Sequence, residues 1–207
     1  MKANFVLLLV ALALSSPLPS AHGASTLLSG FEGDLSTTLG PSWASMLTRS
    51  YVGTGVTEGA SALQLSHGTG WTQDFFLDGG PALANLVAAS DTFQIDTTTP
   101  ASTSWRQLFV VMQGAGQGWS QHQFDLAANA TGTATLDLNT TGIKANALAG
   151  DQSWWQIYLI FQGGDDPAAS PIQTTLDNVR FNAIPEPATI TLFAVAGVGL
   201  LFSRRRT

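Results

Sequence analysis

The chain contains no cysteine, so no disulfide can brace its fold and no thiolate can serve as a nucleophile or a metal ligand. Cations are scarce as well. Lys2 and the arginines at 204–206 account for four of the eight Lys and Arg, and Glu186 for one of the fourteen acids, so between the termini thirteen acids face only Arg49, Arg106, Lys144 and Arg180. That balance argues against nucleic acid and anionic lipid as partners of the central region and leaves divalent cations and neutral glycans open. Catalytic signatures are missing too: there is no Gly-x-Ser-x-Gly elbow and no His-Glu-x-x-His pair, and Gly114-Ala115-Gly116-Gln117-Gly118 lacks the lysine and the helix that a phosphate loop needs. Beyond His22 in the N-terminal segment, only His67 and His122 remain, far apart in sequence.

Long apolar runs occur only at the two ends. At the N-terminus Lys2, the run 5–14 and the small-x-small Ala21-His22-Gly23 have the order of a secretory signal peptide, which assigns residues 1–23 to it, with cleavage after Gly23 or, as a near alternative, Ala24. At the other end Pro185 and Pro187 flank Glu186 and forbid a continuing helix, because each proline lacks an amide donor and constrains its predecessor. An uncharged run over 188–202 follows, and Arg204, Arg205 and Arg206 would hold its far end in the cytoplasm.

This succession over 184–207 resembles the PEP-CTERM sorting signal of Gram-negative bacteria. The resemblance implies recognition by exosortase, a membrane protease that removes the tail, passage through an inner-membrane intermediate, and release toward the cell surface or extracellular matrix. The bland alternative is a permanent helical anchor, but the run is shorter than the ~20 residues of a usual spanning helix. One exported domain, 24–183, is left between the two signals.

Gly, Thr, Ser, Asn and Gln in place of charge suit a secreted β-protein whose side chains alternate between a core and a polar face. Period-two patterning predicts strands over 25–33, 63–65, 71–77, 91–95, 105–113, 122–126, 133–138, 154–161 and 174–181, with one or two helical turns over 81–89. Short strands punctuated by Gly, Pro and Asp predict an all-β fold, an antiparallel β-sandwich or jelly roll.

Two strands predict a site. Trp155, Ile157, Leu159 and Phe161 form one apolar face, leaving Trp154, Gln156 and Tyr158 on the other. Leu108, Val110 and Met112 likewise turn inward, with Trp105, Gln107 and Gln113 outward beside Phe109 and Val111. Aromatics mixed with amides compose a sugar-binding surface, where CH groups stack on rings and amides take hydroxyls. Trp105, Gln107, Trp154, Gln156 and Tyr158 are therefore the candidate polysaccharide contacts, against the alternative that these rings form a second core layer. Asp74, Asp78, Asp125 and Asp137 could supply the opposed carboxylates of a glycosidase, but nothing in the sequence places a pair.

In 175–181 alternation sets Asp177 on one face with Val179 and Phe181, and an inward acid needs a partner. Glu32 in Gly30-Phe31-Glu32-Gly33 has a similar position near the other end. These stretches, with Glu58-Gly59-Ala60-Ser61-Ala62-Leu63-Gln64-Leu65, resemble the galactose-binding-domain-like sandwiches of carbohydrate-binding modules. The resemblance implies a structural calcium ion held by Glu32 and Asp177; the plainer reading is that each carboxylate accepts backbone hydrogen bonds. The expectation from sequence is an exported, non-catalytic sandwich that binds polysaccharide, against a purely structural or adhesive surface protein and, third, a matrix-processing hydrolase.

Overall fold

The structure is a computed structural model, and it describes residues 24–32, 48–68, 71–101, 105–164 and 172–184, with the side chains of 72–78 left aside. The signal peptide expected at 1–23 and the sorting residues Pro185, Glu186, Pro187, Arg204, Arg205 and Arg206 lie outside them. Among the described residues no helix is long and apolar enough to cross a membrane.

Residues 25–184 form one compact unit of ten strands and two short helices. In chain order these are β1 (Ser25–Ser29), β2 (Thr48–Val52), β3 (Ala62–His67), β4 (Thr72–Asp78), α1 (Gly80–Ala89), β5 (Thr92–Thr99), β6 (Arg106–Gly114), β7 (Ser120–Leu126), β8 (Ala130–Asp137), α2 (Ile143–Ala149), β9 (Trp155–Gly163) and β10 (Ile172–Asn182). Two antiparallel sheets face each other. The first runs β2-β3-β10-β5-β8, with β1 pairing the last residues of β10 while β3 pairs the first; the second runs β4-β9-β6-β7.

Alternation along the central strands makes the core. Leu108, Val110 and Met112 of β6 meet Trp155, Ile157, Leu159 and Phe161 of β9 and, from the first sheet, Leu63, Leu65, Phe93, Ile95, Leu176, Val179 and Phe181. Each fully buried large apolar side chain is worth roughly 1.5–3 kcal/mol, which is how a chain without a disulfide holds two sheets together. Gly114 leaves room for this packing, because a Cβ there would stand 2.7 Å from Trp155 Cδ2.

The helix expected over 81–89 forms a full ten-residue α1. Pro81 sits in its first turn, where its missing amide costs nothing, and Leu83, Ala84 and Val87 bury one face. Ser90 ends it, its hydroxyl donating to Leu86 O at 2.7 Å and its amide to Val87 O at 3.2 Å.

One register differs from the expected alternation. β10 carries an irregularity between Asp177 and Arg180 against β5, and Asn178 there has φ 48°. The bulge inserts one residue and turns Asp177 to the outer face of the first sheet, while Leu176 before it and Val179 after it both enter the core. Asp177 therefore does not share the inward face of Val179 and Phe181. Glu32, just past β1, is exposed rather than inward, although Phe31 beside it is buried.

Candidate functional site

The outer face of the second sheet carries a second apolar layer, in which Phe109 and Val111 of β6 pack with Tyr158 and Ile160 of β9. All four are buried, and Tyr158 is only 3% exposed. Amides surround this strip. At one end Gln113 Nε2 donates to Gln156 Oε1 at 3.1 Å and to the Tyr158 hydroxyl at 3.0 Å, and that hydroxyl donates to Gln156 Oε1 at 2.7 Å. At the other, Gln107 Nε2 and Gln123 Nε2 donate to Asp125 Oδ1 at 2.9 and 3.0 Å.

Every strand of this sheet is preceded by a tryptophan: Trp71 before β4, Trp105 before β6, Trp119 before β7 and Trp154 before β9. Their exposures are 50%, 52%, 51% and 41%. Trp71 leans over Phe109, ring centroids 5.0 Å apart, and Trp119 over Tyr158 at 5.8 Å, with Trp119 Nε1 donating to Gln121 Oε1 at 3.2 Å. Strand alternation places Trp105 and Trp154 on the same outer face, in step with Gln107 and Gln156. Because neighbouring strands run in opposite directions, Trp71 and Trp105 mark one end of the sheet and Trp119 and Trp154 the other.

The expected contacts are thus only partly brought together. Trp105 lies beyond the Arg106–Gly163 pair and Trp154 beyond the Gly114–Trp155 pair, so by strand rise they are roughly 30 Å apart. Gln156 and Tyr158 share one network, and Gln107 belongs to the opposite end. Tyr158 supports the face from beneath and is not an open stacking surface. Sequence reading missed Trp71 and Trp119, although each stands two residues or fewer before a strand in the register of the outer face.

Asp125 is a carboxylate of this face; Asp78 of β4 pairs with Gln156, and its side chain, like that of Asp74, lies outside the described ones. Asp137 lies on the other sheet, where its Oδ1 accepts the amides of Asn139 and Thr140 at 2.8 and 2.9 Å. The Thr140 amide, opposed by partial desolvation and helped by that of Asn139, holds its pKa below the usual carboxylate value. A separate groove of about 430 Å³ opens between the facing edges β7 and β8, lined by Thr97, Thr99, Thr131, Thr133 and Asp125 among others; none of the five expected contacts enters it.

Glu32 and Asp177 reach the same loop from the two ends of the domain. Asp177 Oδ2 accepts the amides of Thr57 and Glu58 at 2.6 and 2.9 Å and the Thr57 hydroxyl at 3.0 Å, while Oδ1 accepts the Asn178 amide at 2.8 Å. Both Glu32 oxygens accept the Ala60 amide, at 2.9 and 3.0 Å. A calcium ion needs six to eight oxygen ligands, yet the groups that reach these carboxylates are N–H and O–H donors, which aim hydrogens at the lone pairs a cation would take. The arrangement is that of a loop clamp, the plainer of the two expected roles, with each carboxylate taking backbone amides of the 57–60 loop.

A third carboxylate lies where the chain leaves the sandwich. Asp91, just before β5, pairs with Lys144 Nζ at 2.7 Å, accepts Asn139 Nδ2 at 2.9 Å on the same Oδ1, and takes the Ile184 amide on Oδ2 at 2.6 Å.

No curated protein matches the chain. The family model for the PEP-CTERM protein-sorting motif matches residues 183–206, and that motif implies an exported protein of a Gram-negative-type envelope. Among solved structures, a family 11 carbohydrate-binding module from Clostridium thermocellum, in complex with a beta-1,3-1,4-mixed-linked tetrasaccharide, is similar at 15% identity and TM-score 0.50, over 81% of this chain and 99% of that one. A second, described as showing the structural basis for the promiscuous specificity of carbohydrate-binding modules from the β-sandwich superfamily, is 14% identical at TM-score 0.50, over 81% of this chain and 63% of that one. The chain carries a PEP-CTERM protein-sorting motif behind a β-sandwich that has the fold of carbohydrate-binding modules.

Proposed function

We propose that the chain is an exported, non-catalytic surface or matrix protein, sorted through its tail by exosortase, whose second sheet binds a neutral polysaccharide on its outer face. The observation that carries the binding reading is the set of four half-exposed tryptophans, one at the start of each strand of that sheet, around a strip bordered by glutamines. Half-exposed rings offer flat apolar faces to pyranose CH groups, and Gln113, Gln121, Gln123 and Gln156 stand beside them to take hydroxyls. The acidity of the domain disfavours anionic polymers and costs nothing against a neutral one. Export supplies the setting, since the tail would pass through the inner membrane with its arginines inside before release outside the cell.

The test is an affinity measurement against soluble neutral polysaccharides, mixed-linkage β-glucan, xylan and mannan, with the wild type and with Trp71→Ala and Trp119→Ala. An aromatic contact is worth ~0.5–1.5 kcal/mol beyond its area, so each replacement should weaken binding roughly 2- to 13-fold. Melting should change little, because both rings are half in solvent. Wild type that binds none of these polymers, or variants that bind as the wild type does, would leave the face structural or adhesive.

A further inference from the structure

We propose that Asp91 is a positioning residue for removal of the sorting tail, holding the backbone just ahead of Pro185 against the sandwich so that processing awaits release of Ile184. The inference rests on the sorting reading and adds a control that lies in the fold rather than in the tail. The matched motif begins at residue 183, whereas Asn182 is still the last residue of β10. The first two residues of the motif therefore belong to the folded domain. Asp91 Oδ2 accepts the Ile184 amide at 2.6 Å, and with Ile184 held only Pro185 separates the sandwich from Glu186.

The clamp is built, not incidental. Asp91 Oδ1 is fixed by Lys144 Nζ at 2.7 Å and Asn139 Nδ2 at 2.9 Å, so three elements converge on one carboxylate: the start of β5, the turn after β8 and helix α2. The backbone on either side is tied as well, with the Asp91 amide donating to Asn182 O and the Leu138 amide to Asp91 O, each at 2.8 Å. The hydrogen bonds from Asn139, Lys144 and the Ile184 amide lower the carboxyl pKa to about 2, so mild acidity outside the cell does not undo the grip.

Its consequence follows from how peptide segments are engaged. An enzyme or binding partner that takes a peptide in extended form uses its main-chain amides and needs several free residues. Here the last amide before Pro185 is already occupied, and Pro185 offers none. While the clamp is closed, a membrane protease meets a chain with almost no slack between its target and a rigid sandwich.

The experiment uses the full-length chain expressed with and without exosortase, following tail loss by intact mass, and measures hydrogen exchange at the Ile184 amide in detergent-solubilised unprocessed protein. Asp91→Ala should expose the amide and speed tail loss roughly tenfold or more, the fold-change that matches the net worth of a charge-assisted hydrogen bond. A Gly-Ser-Gly-Ser insertion between Ile184 and Pro185 leaves the clamp and the fold untouched, and it should speed tail loss while the amide stays protected. Combined with Asp91→Ala it should add little.

An unprotected Ile184 amide in the wild type overturns the clamp. A protected amide with unchanged rates in both variants overturns its role in processing. A tail retained by the wild type and by every variant in the presence of exosortase overturns the sorting reading and the processing role with it, and exchange at Ile184 then still decides whether the clamp exists.

Discussion

Asp96 and Asp177 are direct cross-strand partners on β5 and β10, two buried carboxylates side by side on the outer face of the first sheet. Like charges placed so are unfavourable, and the surroundings are arranged to answer them. Asp96 accepts the Thr133 hydroxyl at 2.6 Å, Asn178 Nδ2 at 3.0 Å and Arg180 NH1 at 3.2 Å, while Asp177 takes the amides of Thr57 and Glu58. The Thr57 hydroxyl stands between them, 2.9 Å from Asp96 and 3.0 Å from Asp177. The pair binds the 53–61 loop to the sheet, and one guanidinium offsets part of the charge.

Replacing Asp177 by Ala should release that loop. The amides of Thr57, Glu58 and Asn178 would lose their acceptor while Asp96 stayed buried, which should cost about 2–4 kcal/mol, or roughly 5–15 °C in Tm for a domain of this size. Because both oxygens of this carboxylate already accept hydrogen bonds, from Thr57, Glu58 and Asn178, wild-type melting curves recorded with calcium and with chelator should coincide. A chelator-induced drop of several degrees that disappears in Asp177→Ala would show a cation at work and sink the clamp.

Gly59 tests the other half of the same device. Its φ is +77°, and a Cβ there would run into Glu32 Oε1, the atom that accepts the Ala60 amide. Gly59→Ala should therefore cost about 1–2 kcal/mol for the left-handed backbone and more for displacing Glu32. In a Glu32→Ala background only the backbone cost remains, so a double-mutant cycle should show a coupling of ~0.5–3 kcal/mol. Strictly additive losses would mean that Glu32 does not hold this loop.

Much of the sandwich could be read directly from alternation. The inward sets Trp155, Ile157, Leu159, Phe161 and Leu108, Val110, Met112 are all core, because central strands buried on one face must repeat every second residue. β2 was missed, since Thr48-Arg49-Ser50 shows no apolar rhythm at the sheet edge, and so was α2, a seven-residue helix that begins at a left-handed Gly142. Asp177 was assigned to the wrong face because one residue, Asn178, enters the left-handed region, and a bulge shifts every later parity without a compositional signature. Trp105 and Trp154 share the outer face, as alternation implies, but stand at its opposite ends, which strand composition alone does not show. Antiparallel pairing sends strand starts to opposite ends, and that same rule gathers Trp71 with Trp105 and Trp119 with Trp154.

The acid response should come in two stages, and histidine sets the first. Burial lowers the His67 pKa from 6.5, helped by nearby Arg106 and opposed by the hydrogen bond to Gly68 O; burial lowers that of His122 as well. Below the unfolded value of about 6.5 the unfolded chain takes up protons that the folded one refuses, so stability is full above that pH. It falls as the pH drops toward the folded pKa values, with a slope of at most about 1.4 kcal/mol per pH unit for each histidine. Asp96 acts lower. Its burial favours the neutral acid, but hydrogen bonds from Thr133, Arg180, Thr57 and Asn178 outweigh it and hold the pKa below the ordinary carboxylate value of 3.8. Its contribution is therefore present above that value and lost as the pH falls through the folded pKa. Melting from pH 8 to 3 should show a shallow decline starting near 6.5 and a steeper one below about 4. His67→Gln, whose amide can still donate to the Gly68 carbonyl, should flatten the first decline and leave the second. A first decline of unchanged slope in that variant would show that His67 is not the group refusing the proton.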